Sequence, residues 1–133
     1  MVKVERTRTF EGTPQEVWAV IGDFHGLHTW HPGSADSTAS EDGTVRTLTL
    51  AGDGGTVVET RTGEGDLHHS YRIDEAPFPI KDHEATVMAR EAGEGAEVVW
   101  SADFEVDGIT EDEGIEMMHT FIDAGFDSIE KSG

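Results

Sequence analysis

The chain contains no cysteine, a single tyrosine, four prolines and only nine lysine and arginine residues among 133. Without cysteine there are no disulfides, no thiolate metal sites and no cysteine nucleophile. The basic residues face twenty-eight aspartates and glutamates, for a formal charge of −19. That charge repels nucleic acid and anionic lipid surfaces over the Debye length, so no nucleic-acid partner and no membrane insertion are expected. No stretch approaches the ~20 consecutive apolar residues that span a bilayer, and no apolar leader follows Met1, so a cytoplasmic protein is expected. The acidic excess reads as a solvated shell that keeps the protein soluble, and it is also compatible with a source of high internal salt. Glycine-rich phosphate-binding and dinucleotide-binding fingerprints are missing. Gly52-Asp53-Gly54-Gly55 has no following lysine or helix and reads as a turn. Nor does any serine, threonine or aspartate spacing suggest a nucleophile triad, and no cofactor is expected.

What is present begins with a strand, Val2 to Phe10, in which Val2, Val4 and Phe10 share a phase with Arg6 and Arg8. The arginines are expected near the sheet edge or reaching solvent. Thr13 then offers an N-cap, Pro14 suits the first helical position, and Glu16 complements the helix dipole. Val17, Val20, Ile21 and Phe24 follow at helical spacing, extended by Trp18, until Gly22 and Gly26 allow a break. A second short helix or turn carries His25, His28, Trp30 and His31 up to Pro32.

Alternating segments follow. Gly33 to Glu41 and Val45 to Leu50 flank an Asp42-Gly43 hairpin turn, and Arg46, Leu48 and Leu50 share a face. Thr56 to Thr62 is a strand of ambiguous phase at Glu59, because Val57 and Val58 leave both faces partly apolar. In Leu67 to Asp74 the inward set is Leu67, His69, Tyr71 and Ile73. Pro77 and Pro79 lack ladder donors, so Ala76 to Ile80 is a connection. His83 to Arg90 and Ala96 to Val106 are the last strands, the second pointing Val98, Trp100, Ala102 and Phe104 one way. From Thr110 the period becomes helical. Thr110 and Glu113 form a capping box, and Ile115, Met118, Ile122, Gly125 and Ile129 make one stripe, flanked by Met117, Phe121 and Phe126.

Glu16-Val17-Trp18, Asp23-Phe24, Leu27, Trp30 and Pro32, then Gly43 to Leu48, Val58-Glu59, Tyr71-Arg72-Ile73, Pro77 with Pro79 and Val98-Val99-Trp100 occur in an order and spacing that covers nearly the whole chain. The sequence thereby resembles the short polyketide-cyclase-type members of the START-related superfamily, also called SRPBCC or helix-grip proteins. The resemblance implies a single α+β domain over residues 1–133. It implies a bent antiparallel sheet of about six to seven strands wrapped around a long C-terminal helix, with two short helices after the first strand. It also implies a cavity between sheet, helix and loops, with Ala76 to Ile80 at its rim. The superfamily hosts carriers, cyclases and hydrolases, so fold alone does not fix function.

Two functions from different classes follow. One is binding of a small or medium-sized hydrophobic ligand, lipid-like or polyketide-like, by a monomer or homodimer. Trp30, His28, Glu59, Trp100, Phe104, Met118 and Phe121 are the candidate lining residues, since aromatics and methionines suit flat or flexible apolar ligands. The other is a polyketide cyclase, aromatase or dehydratase. Here His69 and Tyr71, two residues apart in one inward phase, would move protons, and Arg46 would hold an anionic or enolate oxygen. Each has a purely structural counterpart: Tyr71 satisfied in the core, His69 bonded to a backbone carbonyl, Arg46 paired with Glu59. His25, His28 and His31 form an H-x-x-H-x-x-H run, but Pro32 pulls His31 out of helical geometry, and no metal site is expected. His83-Glu84 lacks the second histidine of a zinc-hydrolase helix and lies in a strand.

Overall fold

In the computed structural model, which describes residues 2–52 and 54–132, the strand periodicity read from sequence becomes one seven-stranded antiparallel sheet. The chain runs β1 (Val2–Glu11), α1 (Pro14–Ile21), a 3-10 helix (Phe24–Thr29), β2 (Ser34–Ala39), β3 (Val45–Leu50), β4 (Thr56–Gly65), β5 (His68–Glu75), β6 (Ile80–Ala92), β7 (Gly95–Val106) and α2 (Glu111–Ser132). Strands β2 to β7 form a meander, and β1 pairs with β7, giving the order β1-β7-β6-β5-β4-β3-β2. Residue Asp53 of the expected Gly52–Gly55 turn lies outside the described residues.

Both α-helices start at capping boxes. Thr13 and Glu16 exchange hydrogen bonds at the first, and Thr110 and Glu113 at the second, so the opening amides that lack helical partners are satisfied. α2 lies on the concave face of the sheet and buries Met118, Ile122, Gly125, Phe126 and Ile129. Gly125 is required there. A Cβ at this position would stand 2.9 Å from His31 Cδ2, 3.0 Å from Trp30 Cζ3 and 3.1 Å from Trp100 Cζ3, so only glycine lets the helix descend onto those rings.

Arg6 and Arg8 lie at the sheet edge as expected, and both also engage α2. Arg6 donates from Nε and Nη2 to the two carboxylate oxygens of Asp123, at 3.1 and 2.6 Å. Arg8 reaches Asp127 at 2.6 Å and lies over the Phe126 ring. An inward-phase arginine on an edge strand finds the acidic flank of α2 and clamps the helix along β1. The loop after the 3-10 helix holds the same half of α2, because the Ser128 hydroxyl donates to the Trp30 carbonyl.

Bulges bend the sheet where it curls around the helix: in β4 between Val58 and Glu59 and again between Arg61 and Gly63, and in β6 between Lys81 and Glu84. Asp82, within the β6 bulge, has φ 51°, a left-handed conformation that aspartate tolerates better than most residues. β6 begins at Ile80 and is therefore longer at both ends than the His83 to Arg90 segment apparent from alternation.

Candidate functional site

Because the C-terminal half of α2 is drawn tightly onto Trp30 and Trp100, space remains beside the middle of the helix, toward β3 to β6. A cavity of about 110 Å³ lies there. Leu48 and Leu50 of β3, Val57 of β4 and Ile73 of β5 form its sheet wall, Phe78 and Ile80 its rim, and Met117, Met118 and Phe121 its helix wall. The Pro-flanked segment thus sits at the rim, as the resemblance implied. Three polar side chains interrupt the apolar lining: Glu59, Tyr71 and His83.

The phase of Glu59, ambiguous in sequence, is inward. Arg46 and Glu59 stand directly opposite each other on β3 and β4, and both are almost fully buried. Arg46 Nε donates to Glu59 Oε1 at 2.7 Å and Nη2 lies 2.6 Å from the same oxygen, while Nη1 donates to the Phe24 carbonyl at 2.5 Å. The guanidinium lies over Phe24, 4.0 Å from the ring centre, and 4.9 Å from that of Tyr71. Its charge therefore points at Glu59 and at ring faces, and Arg46 is not part of the cavity wall. Glu59 Oε2 has no hydrogen-bond partner among the described residues. Burial pushes the Glu59 carboxyl up, and the adjacent guanidinium opposes that push.

Tyr71 is buried, and its hydroxyl accepts a hydrogen bond from Trp100 Nε1 at 3.1 Å. Burial, with Glu59 nearby, raises the phenol above its ordinary value, so it stays protonated and keeps a proton to donate. His83 packs 5.8 Å from Tyr71, ring centre to ring centre, and its buried Nδ1 has no partner. Desolvation lowers His83 to about 4, which leaves a neutral imidazole at pH 7.

The structure divides the residues proposed from sequence. Glu59, Tyr71, Met118 and Phe121 come together at the cavity. Trp30, Trp100, Arg46 and His69 instead surround a separate void of only about 10 Å³, with Tyr71 between the two spaces. Phe104 is wholly buried in the core, against the position where Gly114 brings α2 close. His28, half-buried on the 3-10 helix, lines neither space. His69 is enclosed by Trp18 and Phe24, at ring separations of 5.3 and 5.7 Å, and lies 6.1 Å from Tyr71. Burial lowers it to about 4, with Arg46 acting in the same direction and a hydrogen bond to the Gly22 backbone against it. The His69, Tyr71 and Arg46 grouping is thus real in space, but only its tyrosine faces the larger cavity.

His83 is the group that sequence reasoning passed over. It fails as half of a zinc motif, yet it shares the alternation of Ala85, Val87 and Ala89, all buried. The histidine run on the 3-10 helix is dispersed. His25 Nε2 lies 2.7 Å from the Gly43 carbonyl, and His31 turns inward. The Gly33 amide donates to His31 Nδ1 at 2.9 Å, so Nε2 carries the proton that it donates to the Phe121 carbonyl at 2.8 Å. His31 is a buried neutral tie between loop and helix, stacked on Phe121 at 4.2 Å and held below its ordinary value by desolvation. No group of three or more histidines, aspartates or glutamates able to hold a metal occurs among the described residues.

A larger concavity of about 450 Å³ lies between β1, α1 and the end of α2. Its floor is Phe10, Val17 and Ile129, but Glu11, Glu16 and Glu130 at its margin are exposed, which makes it a surface groove. A predominantly apolar lining with a few buried polar groups favours the smaller space as a ligand site. Among the described residues no helix is long and apolar enough to cross a membrane.

Comparison with known proteins agrees with this architecture. XoxI from Bacillus cereus has a structure with TM-score 0.95 and is 28% identical, over 99% of this chain and 95% of that one. A START superfamily protein from Mycobacterium smegmatis, 11% identical over 98% of this chain and 95% of that one, has TM-score 0.81. The Zhui aromatase/cyclase from a Streptomyces species, 20% identical over 98% and 92% of the two chains, has TM-score 0.76, and both share the fold. No curated protein matches the sequence. The family model for polyketide cyclase / dehydrase and lipid transport proteins matches residues 1–132, and the chain belongs to that family.

Proposed function

We propose that this protein binds a small or medium-sized hydrophobic ligand in the cavity between the sheet and α2. The observation that carries this reading is the cavity's lining: apolar side chains from three strands, the rim and the helix, with polar groups confined, among the described residues, to Glu59, Tyr71 and His83. An apolar enclosure with a few convergent polar groups is the usual form of a small-molecule site. Met117 and Met118 supply an adaptable wall, because an unbranched thioether side chain repacks at low cost. Family membership is consistent with such a role. A solvatochromic dye should bind saturably at one site, and Met118→Trp, which fills the space, should abolish that binding while circular dichroism reports an intact fold. Absence of saturable binding, or binding indifferent to Met118→Trp, would remove the proposal.

A second reading, proton-transfer catalysis on a carbonyl compound by a cyclase or dehydratase, is favoured by one pair. His83 is neutral at pH 7 with an unpartnered nitrogen, and Tyr71 beside it holds a transferable proton. Such a pair would contribute on the order of 10²–10⁴ to rate. His83→Gln and Tyr71→Phe should then each reduce turnover of a carbonyl substrate with little change in its affinity, and turnover that survives both would exclude the pair.

A further inference from the structure

We infer that the ligand of this cavity is a neutral, single-ring-sized molecule bearing one hydrogen-bond donor, of the phenol or small alcohol class, with its O–H directed at Glu59 Oε2. The inference rests on the reading of the cavity as a binding site and adds the chemistry of what enters it.

Size comes first. The space measures about 110 Å³. An engineered apolar cavity of ~150 Å³ holds benzene, so a single ring is near the limit here and is reached by modest repacking of Met117 and Met118. Long acyl chains and molecules of several fused rings exceed it.

Charge comes second. Arg46 and Glu59 are a buried pair of net charge zero, and the guanidinium directs its donors to Glu59 Oε1 and to the Phe24 carbonyl. Among the described residues no lysine or arginine lines the cavity, so a carboxylate or phosphate would be buried without a partner. An ammonium would add a positive charge to a pair already neutral. Either would leave an uncompensated charge in an apolar enclosure, which is costlier than burying a neutral hydroxyl.

The third consideration is hydrogen-bond direction. Glu59 Oε1 takes the Arg46 contacts, and Oε2, the other oxygen of that carboxyl, has no hydrogen-bond partner among the described residues, in a residue that is 5% exposed and lines the cavity. A carboxylate oxygen accepts only, so it selects a ligand that donates. The Tyr71 hydroxyl, already accepting from Trp100, has a proton left for the oxygen of the same ligand group. A hydroxyl both donates and accepts, and so satisfies both residues at once.

The test is calorimetric titration of the protein with three probes of one size: p-cresol, toluene and benzoate. The expected result is p-cresol binding on the order of tenfold more tightly than toluene, as one hydrogen bond to a charged acceptor implies, with no measurable binding of benzoate. In the double variant Arg46→Met with Glu59→Leu, which replaces the pair by apolar side chains, the preference for p-cresol should collapse while toluene still binds. The wild-type comparison stands even if that variant does not fold. Equal binding of p-cresol and toluene, or tighter binding of benzoate, overturns the assignment of class. Failure of all three probes where the apolar dye still binds overturns the assignment of size. Failure of the dye as well removes the binding site itself.

Discussion

Glu59→Ala isolates the electrostatic core of the site. In the native protein the Arg46 and Glu59 side chains are 3% and 6% exposed, and two guanidinium nitrogens approach one carboxylate oxygen at 2.6 and 2.7 Å. Truncating Glu59 leaves the guanidinium with the Phe24 carbonyl and the faces of Phe24 and Tyr71. Breaking a buried ion pair from one side costs about 3–5 kcal/mol, because the remaining charge keeps its desolvation penalty and loses its partner. The neighbouring cavity gives water a route to the stranded charge, which puts the expected loss near the lower end, about 3 kcal/mol. Against a total stability of roughly 5–15 kcal/mol, that is a large fraction.

The assay is urea denaturation followed by tryptophan fluorescence, since Trp30 and Trp100 lie in the same core. The decisive comparison is with Arg46→Met combined with Glu59→Leu, which removes both charges and retains volume. Replacing a whole buried pair by apolar groups is often neutral or stabilising, so the double variant should recover most of the loss. A cost below about 1 kcal/mol for Glu59→Ala would mean that the pair is solvated and not buried, and the reasoning would fail. A double variant as unstable as the single one would show that the loss comes from packing instead of charge.

Two further outcomes follow from buried groups. His69 and His83 are held at about 4 against 6.5 in the unfolded chain, so the unfolded state binds more protons as pH falls through 6.5, and stability drops from there down toward 4. Each should lower stability by about 2 kcal/mol between pH 7 and 5, a window in which carboxylates of ordinary pKa remain ionised. Denaturation at several pH values checks this, and a flat profile over that window would contradict it. Gly125→Ala should destabilise by about 1–2 kcal/mol, because its Cβ meets three packed rings, whereas an unobstructed helical glycine would gain about 1 kcal/mol from the same change. A raised thermal midpoint would show that α2 does not press on Trp30 and Trp100 as described.

The fold was legible because the sequence repeats its information at several levels. Alternation in β1, β5 and β7, the capping residues Thr13 and Thr110, and the Asp42-Gly43 turn all point to one arrangement. Phase also put Tyr71, Met118 and Phe121 on the concave face. It could not say where along that face the helix lifts off the sheet. Trp100 and Phe104 share the phase of a lining residue, yet they meet parts of α2 where Gly125 and Gly114 permit close packing. Period tells which side a residue faces and not how far away the opposite layer lies. The β6 bulge is a second limit, since one added residue at Asp82 resets which side chains point inward before His83. Glu59 was ambiguous because Val58, on the opposite face from Val57, is apolar too and stays half-buried.

The central claim is that ligand enters the space bounded by Met117, Met118 and Phe121, and not the larger groove between β1, α1 and the end of α2. The most direct measurement is methyl NMR during titration with an apolar single-ring probe such as p-cresol. The account predicts saturable shifts for the methyls of Met117, Met118 and Ile73, which line the cavity, with those of Val17, Val20 and Ile129 in the groove unmoved. Shifts confined to Val17, Val20 and Ile129, or no saturable shift in either set, would contradict it.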